Sequence, residues 1–161
     1  MPALPSPRKS SSRRHGADHK IDQSVLLGLV GYNCRRAYLR IFDVFRKRMA
    51  PFRLKPVEYS VLALIQSNEN LSQKLLAHAL GIKPPNMATL LDRLETRQLV
   101  IRQKDQPDKR FHALELTALG KRVYSSAEKA VNRLELEATD HLKDGERTEV
   151  LRLLQKIFLV K

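Results

Sequence analysis

The fold is decided by the stretch SQKLLAHALGIKPPNMATLLDRLETR, residues 72–97. Ser72 is a good N-cap for a short helix over residues 73–80, because its hydroxyl can accept a hydrogen bond from a backbone N–H of the first turn. Gly81 then supplies the left-handed residue that ends this helix. The residues expected on the inner side of the helix are Leu75, Leu76 and Ala79.

A second helix is predicted immediately afterwards, over residues 82–97. Two consecutive prolines preset its first turn without removing any useful hydrogen-bond donor. Its apolar face is formed by Met87, Leu90, Leu91 and Leu94. The opposite face is short or polar and leaves room for close approach: Pro85, Asn86, Thr89 and Arg93. Two short helices joined by a turn that contains glycine indicate a helix-turn-helix.

A β-hairpin is predicted directly after this pair of helices. Residues 99–104 have the pattern of a strand, 105–109 of a turn and 110–116 of the returning strand. Thr117 then caps a long helix. A helix-turn-helix that runs into a hairpin with a polar, basic tip is typical of a winged helix. Such a tip can carry Arg110 into a neighbouring minor groove of DNA, where the negative potential is highest.

Long amphipathic helices flank this winged core on both sides. Apolar residues recur at spacings of three and four over residues 22–49, and a helix over 56–66 leads into the core. After the hairpin we expect helices from 118 to about 142 and over 145–158, the latter with Asp144 as its N-cap. The sequence therefore predicts a mainly α protein with a small β-wing.

The flanking helices suggest how the chain is organised. We predict a single domain over residues 21–161, with a winged helix-turn-helix core at about 54–117 and dimerisation helices at about 22–49 and 118–159. The apolar faces of these helices exceed what one winged helix can cover, and a second copy of the chain is the economical way to bury them. Residues 1–20 contain few apolar groups, so we expect a flexible basic N-terminal arm.

The composition narrows the class of protein further. The net charge is +13 with a pI of about 10.2, which points to a polyanion such as nucleic acid as partner. Most of the excess positive charge lies in residues 1–54. No apolar stretch is long enough to span a bilayer, so we expect no membrane partner. One cysteine cannot form an internal disulfide, and we expect a cytoplasmic protein that associates with the nucleoid through DNA.

Five short motifs, in their order and spacing, resemble the MarR family of bacterial transcriptional regulators. The resemblance covers about residues 24–159. Two departures from the family pattern are Lys83, where the family usually caps the recognition helix with Ser, Thr or Asp, and Gln98, where it usually has Gly. The motifs are LLAHALGI at 75–82, LDRLE at 91–95, LVIR at 99–102, DQPDKR at 105–110 and LTALG at 116–120.

The resemblance implies a homodimer that binds a pseudo-palindromic operator in double-stranded DNA and represses transcription until a small ligand releases it. In the family the wing arginine enters the minor groove and the nearby aspartate orients it, which implies Arg110 and Asp108 here. Contacts with base edges are expected from Asn86, Thr89 and Arg93, beside Pro85. Contacts with phosphate are expected from Lys83, Lys104 and Lys109.

The resemblance also implies an effector: an anionic aromatic molecule, either a small carboxylate or a phenol, held between the dimerisation helices and the winged domain. Such a ligand needs a cation or His for its charge and an apolar wall for its ring. The candidates are His15, His19, Tyr38, Arg40 and Tyr59. We predict no cofactor and no metal, because His15 and His19 have helical ligand spacing but no third ligand nearby.

Three alternatives remain. Some family members sense peroxide through a cysteine near tyrosines, which would make Cys34 a redox sensor; a buried inert thiol is the commoner fate of such a residue. A non-specific architectural DNA-binding protein would show nearly equal affinity for all duplexes. An enzyme is disfavoured, because the five histidines have no nucleophile or carboxylate at mechanistic spacing and there is no Gly-rich phosphate loop.

Overall fold

A computed structural model describes residues 21–103 and 113–159. The helices are α1 (Ser24–Leu27), α2 (Val30–Met49), α3 (Pro56–Ser67), α4 (Gln73–Ala79), α5 (Pro84–Thr96), α6 (Ala118–Ala138) and α7 (Asp144–Phe158), with a 3-10 turn at Ala50–Phe52. Strands β1 (Val100–Gln103) and β2 (Ala113–Leu116) form an antiparallel pair between α5 and α6. The predicted fold class, mainly α with a small β-wing, is confirmed. Residues 1–20, predicted as a flexible arm, lie outside the described residues.

The expectation of one helix over residues 22–49 is wrong, because the helix is interrupted at Gly28. Leu29 is extended (φ −100°, ψ 121°) and serves as the N-cap of α2. The side-chain amide of Asn33 donates to the carbonyl oxygens of Leu27 and Leu29, both at 2.8 Å. Since this amide satisfies carbonyls at the break, the chain can bend there without leaving them unpaired.

Two helix boundaries near the C-terminus also differ from expectation. Helix α6 ends at Ala138 rather than at about residue 142. The N-cap of α7 is Lys143, whereas Asp144 lies inside the first turn. The backbone N–H of Lys143 donates to the carboxylate of Glu146 at 2.9 Å. A carboxylate at the third helical position therefore stabilises this helix start.

Of the three residues predicted on the inner side of the short helix α4, Leu76 is buried and the other two are not. Leu76 and Ala77 are in the core, whereas Leu75 is 51% exposed and Ala79 is also exposed. Ser72 is the N-cap as expected, and its hydroxyl accepts from the N–H of Leu75 at 3.3 Å. In a helix of only two turns, packing against α5 decides which side is buried, and the sequence pattern identified only Leu76 correctly.

The core lies between α2, α3, α5 and α6 and is closed by the base of the hairpin. The predicted apolar face of α5 is fully confirmed, because all four of its residues are buried: Met87, Leu90, Leu91 and Leu94. From the strands, Val100, Leu114 and Leu116 join this core. The hairpin is therefore an integral edge of the domain at its base.

The first turn of α6 packs directly on the end of α5. A Cβ at Gly120 would lie 2.0 Å from the carbonyl oxygen of Leu99, so no larger residue fits without a shift of the backbone. Thr117 caps α6 as predicted: its hydroxyl accepts from the N–H of Gly120 at 2.9 Å and donates to the carbonyl of Gln98 at 2.6 Å. This junction fixes the hairpin between the two helices.

Two turns bracket α5 in the left-handed conformation. Gly81 precedes the helix with φ +62°, and Gln98 follows it with φ +56°. Both were expected, the second as a departure from the family's glycine. A non-glycine residue in this region carries a modest conformational cost, because its Cβ crowds the following carbonyl.

The outermost helices present apolar side chains to solvent. Helices α1 and α7 contain no buried residue. Among the large hydrophobic residues that are exposed on α1, α7 and their ends are Ile21, Val25, Leu27, Leu154, Ile157 and Phe158. Surfaces of this kind on a small domain are typical of an interface with another chain.

Candidate functional site

The exposed face of α5 carries the residues predicted to contact base edges. Asn86, Thr89 and Arg93 recur at spacings of three and four, and all are exposed opposite the buried leucines. Pro85 is exposed on the preceding turn. The Thr89 hydroxyl donates to the carbonyl oxygen of Pro85 at 3.1 Å, so its oxygen still offers acceptor capacity to a donor from outside.

The start of α5 is positively charged and lacks a side-chain cap. Lys83 is the N-cap residue (φ −61°, ψ 138°), and its side chain makes no capping hydrogen bond. Pro84 and Pro85 carry no N–H, which reduces the number of orphan donors in the first turn. The exposed ammonium of Lys83 therefore lies at the helix end whose dipole also favours an anion.

An ionic brace holds the hairpin against α5. Arg102 on β1 donates from Nη2 to Oδ1 of Asp92 at 2.9 Å and from Nη1 to Oε2 of Glu95. The Arg102 side chain is 26% exposed. Because a single guanidinium bridges two carboxylates one turn apart on α5, the direction of the hairpin base is tied to the helix it follows. The sequence interpretation gave Arg102 no separate role.

A second brace ties the end of α5 to the start of α3. Arg97 donates from Nη2 to the carbonyl oxygen of Phe52 at 3.1 Å and from Nη1 to the Glu58 carboxylate at 3.5 Å. Glu58 is the buried charged residue of the core, and it also accepts from the backbone N–H of Lys55 at 2.9 Å. Neither Arg97 nor Glu58 was singled out from the sequence.

The tip of the hairpin lies outside the described residues. The four residues predicted for phosphate and minor-groove contact there are Lys104, Asp108, Lys109 and Arg110. At the described base of the hairpin, Gln103 donates to the Glu115 carboxylate at 3.1 Å across the two strands. The DNA contacts assigned to the tip stay predictions.

A cleft of about 240 Å³ opens between α2, α3 and α6. Its walls are mainly aromatic and aliphatic, and the rings of Tyr38 and Phe42 stack at a centroid distance of 5.6 Å. The lining residues are Tyr38, Ile41, Phe42 and Phe45 from α2, Pro56, Tyr59 and Ser60 from α3, and Val131 and Glu135 from α6. An apolar cleft with a few polar groups is the usual form of a small-molecule site.

Tyr59 lines this cleft, and Tyr124 packs on it from outside the cleft lining. The rings of Tyr59 and Tyr124 stack at 5.9 Å, and the Tyr124 hydroxyl donates to the Glu128 carboxylate at 2.6 Å. Burial and the negative charge of Glu128 raise the pKa of Tyr59, and Glu135 adds to the effect. Burial and the hydrogen bond to Glu128 raise the pKa of Tyr124 well above its usual value. Both hydroxyls are therefore neutral at ordinary pH.

The structure brings together only part of the predicted ligand set. Tyr38 and Tyr59 line the cleft. Arg40 does not line it; it is exposed on α2, and its charge contributes to lowering the pKa of Glu137, after the larger effect of the hydrogen bond from Arg48. His15 and His19 lie outside the described residues. The cation expected for an anionic ligand is thus not supplied by the described lining of the cleft.

Glu135 was missed in the sequence. The signal that could have found it is the spacing of Tyr124, Glu128, Val131 and Glu135 on α6, which places them on one helical face at steps of four, three and four. Without the position of α2 and α3, however, a glutamate on a mixed-charge helix reads as a solvated residue.

Cys34 is half-buried on α2. The two tyrosines expected to lie beside it are engaged elsewhere: Tyr32 donates from its hydroxyl to Gln23 at 2.6 Å, and Tyr38 stacks on Phe42. A redox role for Cys34 stays an untested prediction.

The described helices include none long and apolar enough to cross a membrane. Within residues 21–103 and 113–159, no three His, Cys, Asp or Glu side chains are grouped as metal ligands.

The fold and the α5 surface define the class, a winged helix-turn-helix regulator. The MarR family model matches residues 54–112. The repressor CouR bound to a 23-mer DNA duplex is 37% identical, with a TM-score of 0.81, over 86% of this chain and 98% of that one. CouR bound to p-coumaroyl-CoA is 36% identical, with a TM-score of 0.77. The match covers 86% of this chain and 97% of that one. A Thauera aromatica protein assigned as transcriptional regulator of the hcr operon is 27% identical over 83% of this chain and 81% of its own.

The chain belongs to the MarR family and is a DNA-binding transcriptional regulator, not an enzyme. Regulators of this family are typically dimeric.

Proposed function

We propose that the protein is a homodimeric repressor that binds a pseudo-palindromic operator and leaves it when an aromatic effector occupies the cleft between α2, α3 and α6. The observation that carries the proposal is the exposed face of α5, where Asn86, Thr89 and Arg93 follow one another at helical spacing above a buried apolar face. These side-chain types pair with base edges in the major groove.

Dimerisation through α1 and α7 completes the DNA-binding unit. The exposed apolar side chains of these helices need a partner, and a second copy related by a two-fold axis buries the same surface on both chains. Two α5 helices related in this way reach successive major grooves about 34 Å apart. Operator binding would place the protein at the nucleoid in the cytoplasm.

The effector we propose is an aromatic carboxylate carried as a coenzyme A thioester, with the free acid as the second candidate. CouR, which is 36% identical, binds p-coumaroyl-CoA, and the ring-lined cleft of this chain suits an aromatic group. Because Glu135 supplies the charge in the described lining, the anionic end of the effector must lie outside the cleft.

The cleft is linked to the DNA-reading helix through the first turn of α3. That turn carries Pro56, Tyr59 and Ser60 in the cleft wall, while Glu58 on its other side contacts Arg97 at the end of α5. A ligand that shifts this turn would therefore move the anchor of α5. This coupling requires only that the ligand binds more tightly to one position of the turn than to the other.

The test begins with operator selection from random duplexes. Binding of the selected duplex and of a scrambled one is then measured by fluorescence anisotropy, with and without p-coumaroyl-CoA and p-coumarate. We expect the selected duplex to bind roughly a thousandfold or more tightly than the scrambled one and either effector to release it. A ratio near one would establish the architectural alternative instead. If the protein binds the selected duplex specifically and neither compound releases it, the proposal of an aromatic effector is wrong.

A further inference from the structure

Glu135 is the carboxylate in the lining of the cleft. Its side chain is half-buried beside Val131, Tyr59 and the α2 rings. Among residues 21–103 and 113–159 its carboxylate takes part in no hydrogen bond or ion pair. Its backbone carbonyl accepts from the Thr139 hydroxyl at 2.6 Å.

The neighbouring carboxylates of α6 differ from Glu135 in this respect. Glu128 accepts the Tyr124 hydroxyl at 2.6 Å, and Glu137 accepts from Nε of Arg48 at 2.8 Å. Of the hydroxyls that line the cleft, that of Ser60 donates to the carbonyl oxygen of Pro56 at 3.1 Å. Of these three α6 carboxylates, the one without a side-chain partner among the described residues is therefore the one that lines the cleft.

An ionised carboxylate has only acceptor sites, so its complement in a ligand is a donor. A second carboxylate near it would be repelled in surroundings of low dielectric constant. The remaining walls are ring faces and aliphatic groups, which favour an aromatic ring. The volume of about 240 Å³ is below the roughly 300–1,000 Å³ of sites that enclose drug-sized ligands, and it suits a single substituted ring.

We infer that the cleft selects an effector whose ring bears a free hydroxyl group, and that this hydroxyl donates a hydrogen bond to Glu135. The ring enters first, and the acyl or thioester end points to solvent. Glu135 is then the residue that sets specificity between hydroxylated and unsubstituted rings. The inference rests on the proposed aromatic effector and deepens it by naming the substituent that is read.

The probes are cinnamoyl-CoA, p-coumaroyl-CoA and p-methoxycinnamoyl-CoA, which differ only in the ring substituent. Binding to the full chain is measured by calorimetry. A hydrogen bond to a charged group predicts that p-coumaroyl-CoA binds at least about tenfold more tightly than the other two. The methoxy compound has an oxygen but no donor, so it separates hydrogen bonding from the filling of space.

Three variants assign the preference. Glu135→Ala should bring the three affinities within about twofold of one another. Glu135→Gln should keep part of the preference, because its amide oxygen still accepts. Glu137→Ala is the matched control on an exposed position of the same helix, and it should keep the full preference.

Equal affinities in the wild type, or a preference that survives Glu135→Ala, would overturn the inference. If all three thioesters bind and release DNA without preference, the proposed function stands and only the role of Glu135 falls. If no thioester binds, the same series of free acids is measured, and a preference for p-coumarate that needs Glu135 supports the inference. If neither the thioesters nor the free acids bind, both the proposed aromatic effector and this inference are wrong. The operator selectivity is tested independently of this outcome.

Discussion

Arg97 and Glu58 are 39 residues apart in the chain, and Nη1 of the arginine lies 3.5 Å from Oε2 of the buried glutamate. The contact joins the residue that follows α5 to the turn of α3 that also lines the cleft between α2, α3 and α6. The same guanidinium holds the carbonyl of Phe52 at 3.1 Å. Arg97 therefore connects three segments on the path that we propose for the ligand signal.

Replacing Arg97 with Gln should weaken the response to effector more than it weakens DNA binding. The shorter neutral side chain loses the ion pair with Glu58, and the stability cost is about 1 kcal/mol because the guanidinium is a third exposed. The measurement is the ratio of operator affinities with and without p-coumaroyl-CoA. Arg93→Gln is the control, since it should lower DNA affinity and leave this ratio unchanged. An unaltered ratio in Arg97→Gln would place the coupling elsewhere.

Replacing Arg102 with Ala should lower operator affinity although Arg102 faces the protein. Loss of the contacts with Asp92 and Glu95 frees the base of the hairpin from α5. This should weaken the minor-groove contact that we predict for the tip. The loss of about one specific contact predicts roughly a tenfold fall in affinity. Anisotropy measures it, and Gln103→Ala, which breaks only a contact across the strands, should change it little. If Arg102→Ala and Gln103→Ala lower operator affinity equally, the contacts of Arg102 with α5 do not position the hairpin.

Replacing Gly120 with Ala should destabilise the fold. The added Cβ would meet the carbonyl oxygen of Leu99 at 2.0 Å, which forces α6 away from the hairpin and costs at least about 1–3 kcal/mol. Urea unfolding measures the change. Gly145→Ala is the matched control, because no atom lies within 4 Å of its added Cβ and alanine favours the helix by about 0.5–1 kcal/mol. Similar unfolding midpoints for both variants would show that the junction can relax.

The parts of the structure that sequence could predict are those set by local chemistry. The hydroxyls of Ser72 and Thr117 cap their helices, and Gly81 and Gln98 adopt the left-handed turns that were expected. The buried face of α5 follows from its period alone. Each of these features depends on residues a few positions apart.

The parts that sequence could not predict depend on contacts between distant segments. The cleft combines residues 38–45, 56–60 and 131–135, and the role of Glu135 appears only when α2 and α3 are placed beside it. Arg40 looked equivalent to Tyr38 on the helix pattern, but it lies on the face toward Glu137. The break at Gly28 depends on a hydrogen bond from the Asn33 side chain. The spacing of apolar residues gives no information about such a bond.

Replacing Lys83 with Ser should change stability and DNA affinity in opposite directions. The serine hydroxyl can cap α5, where Lys83 makes no capping bond, and this adds about 0.5–1 kcal/mol to the free energy of unfolding. Loss of the ammonium removes one phosphate contact, so operator affinity should fall and the slope of log K against log salt should decrease by about 0.9. Urea unfolding and a salt series by anisotropy measure the two effects.

Lys55→Ser, at the N-cap of α3 away from the α5 surface, should leave the salt slope unchanged. An unchanged slope in Lys83→Ser would show that this lysine does not touch phosphate, whatever its effect on stability.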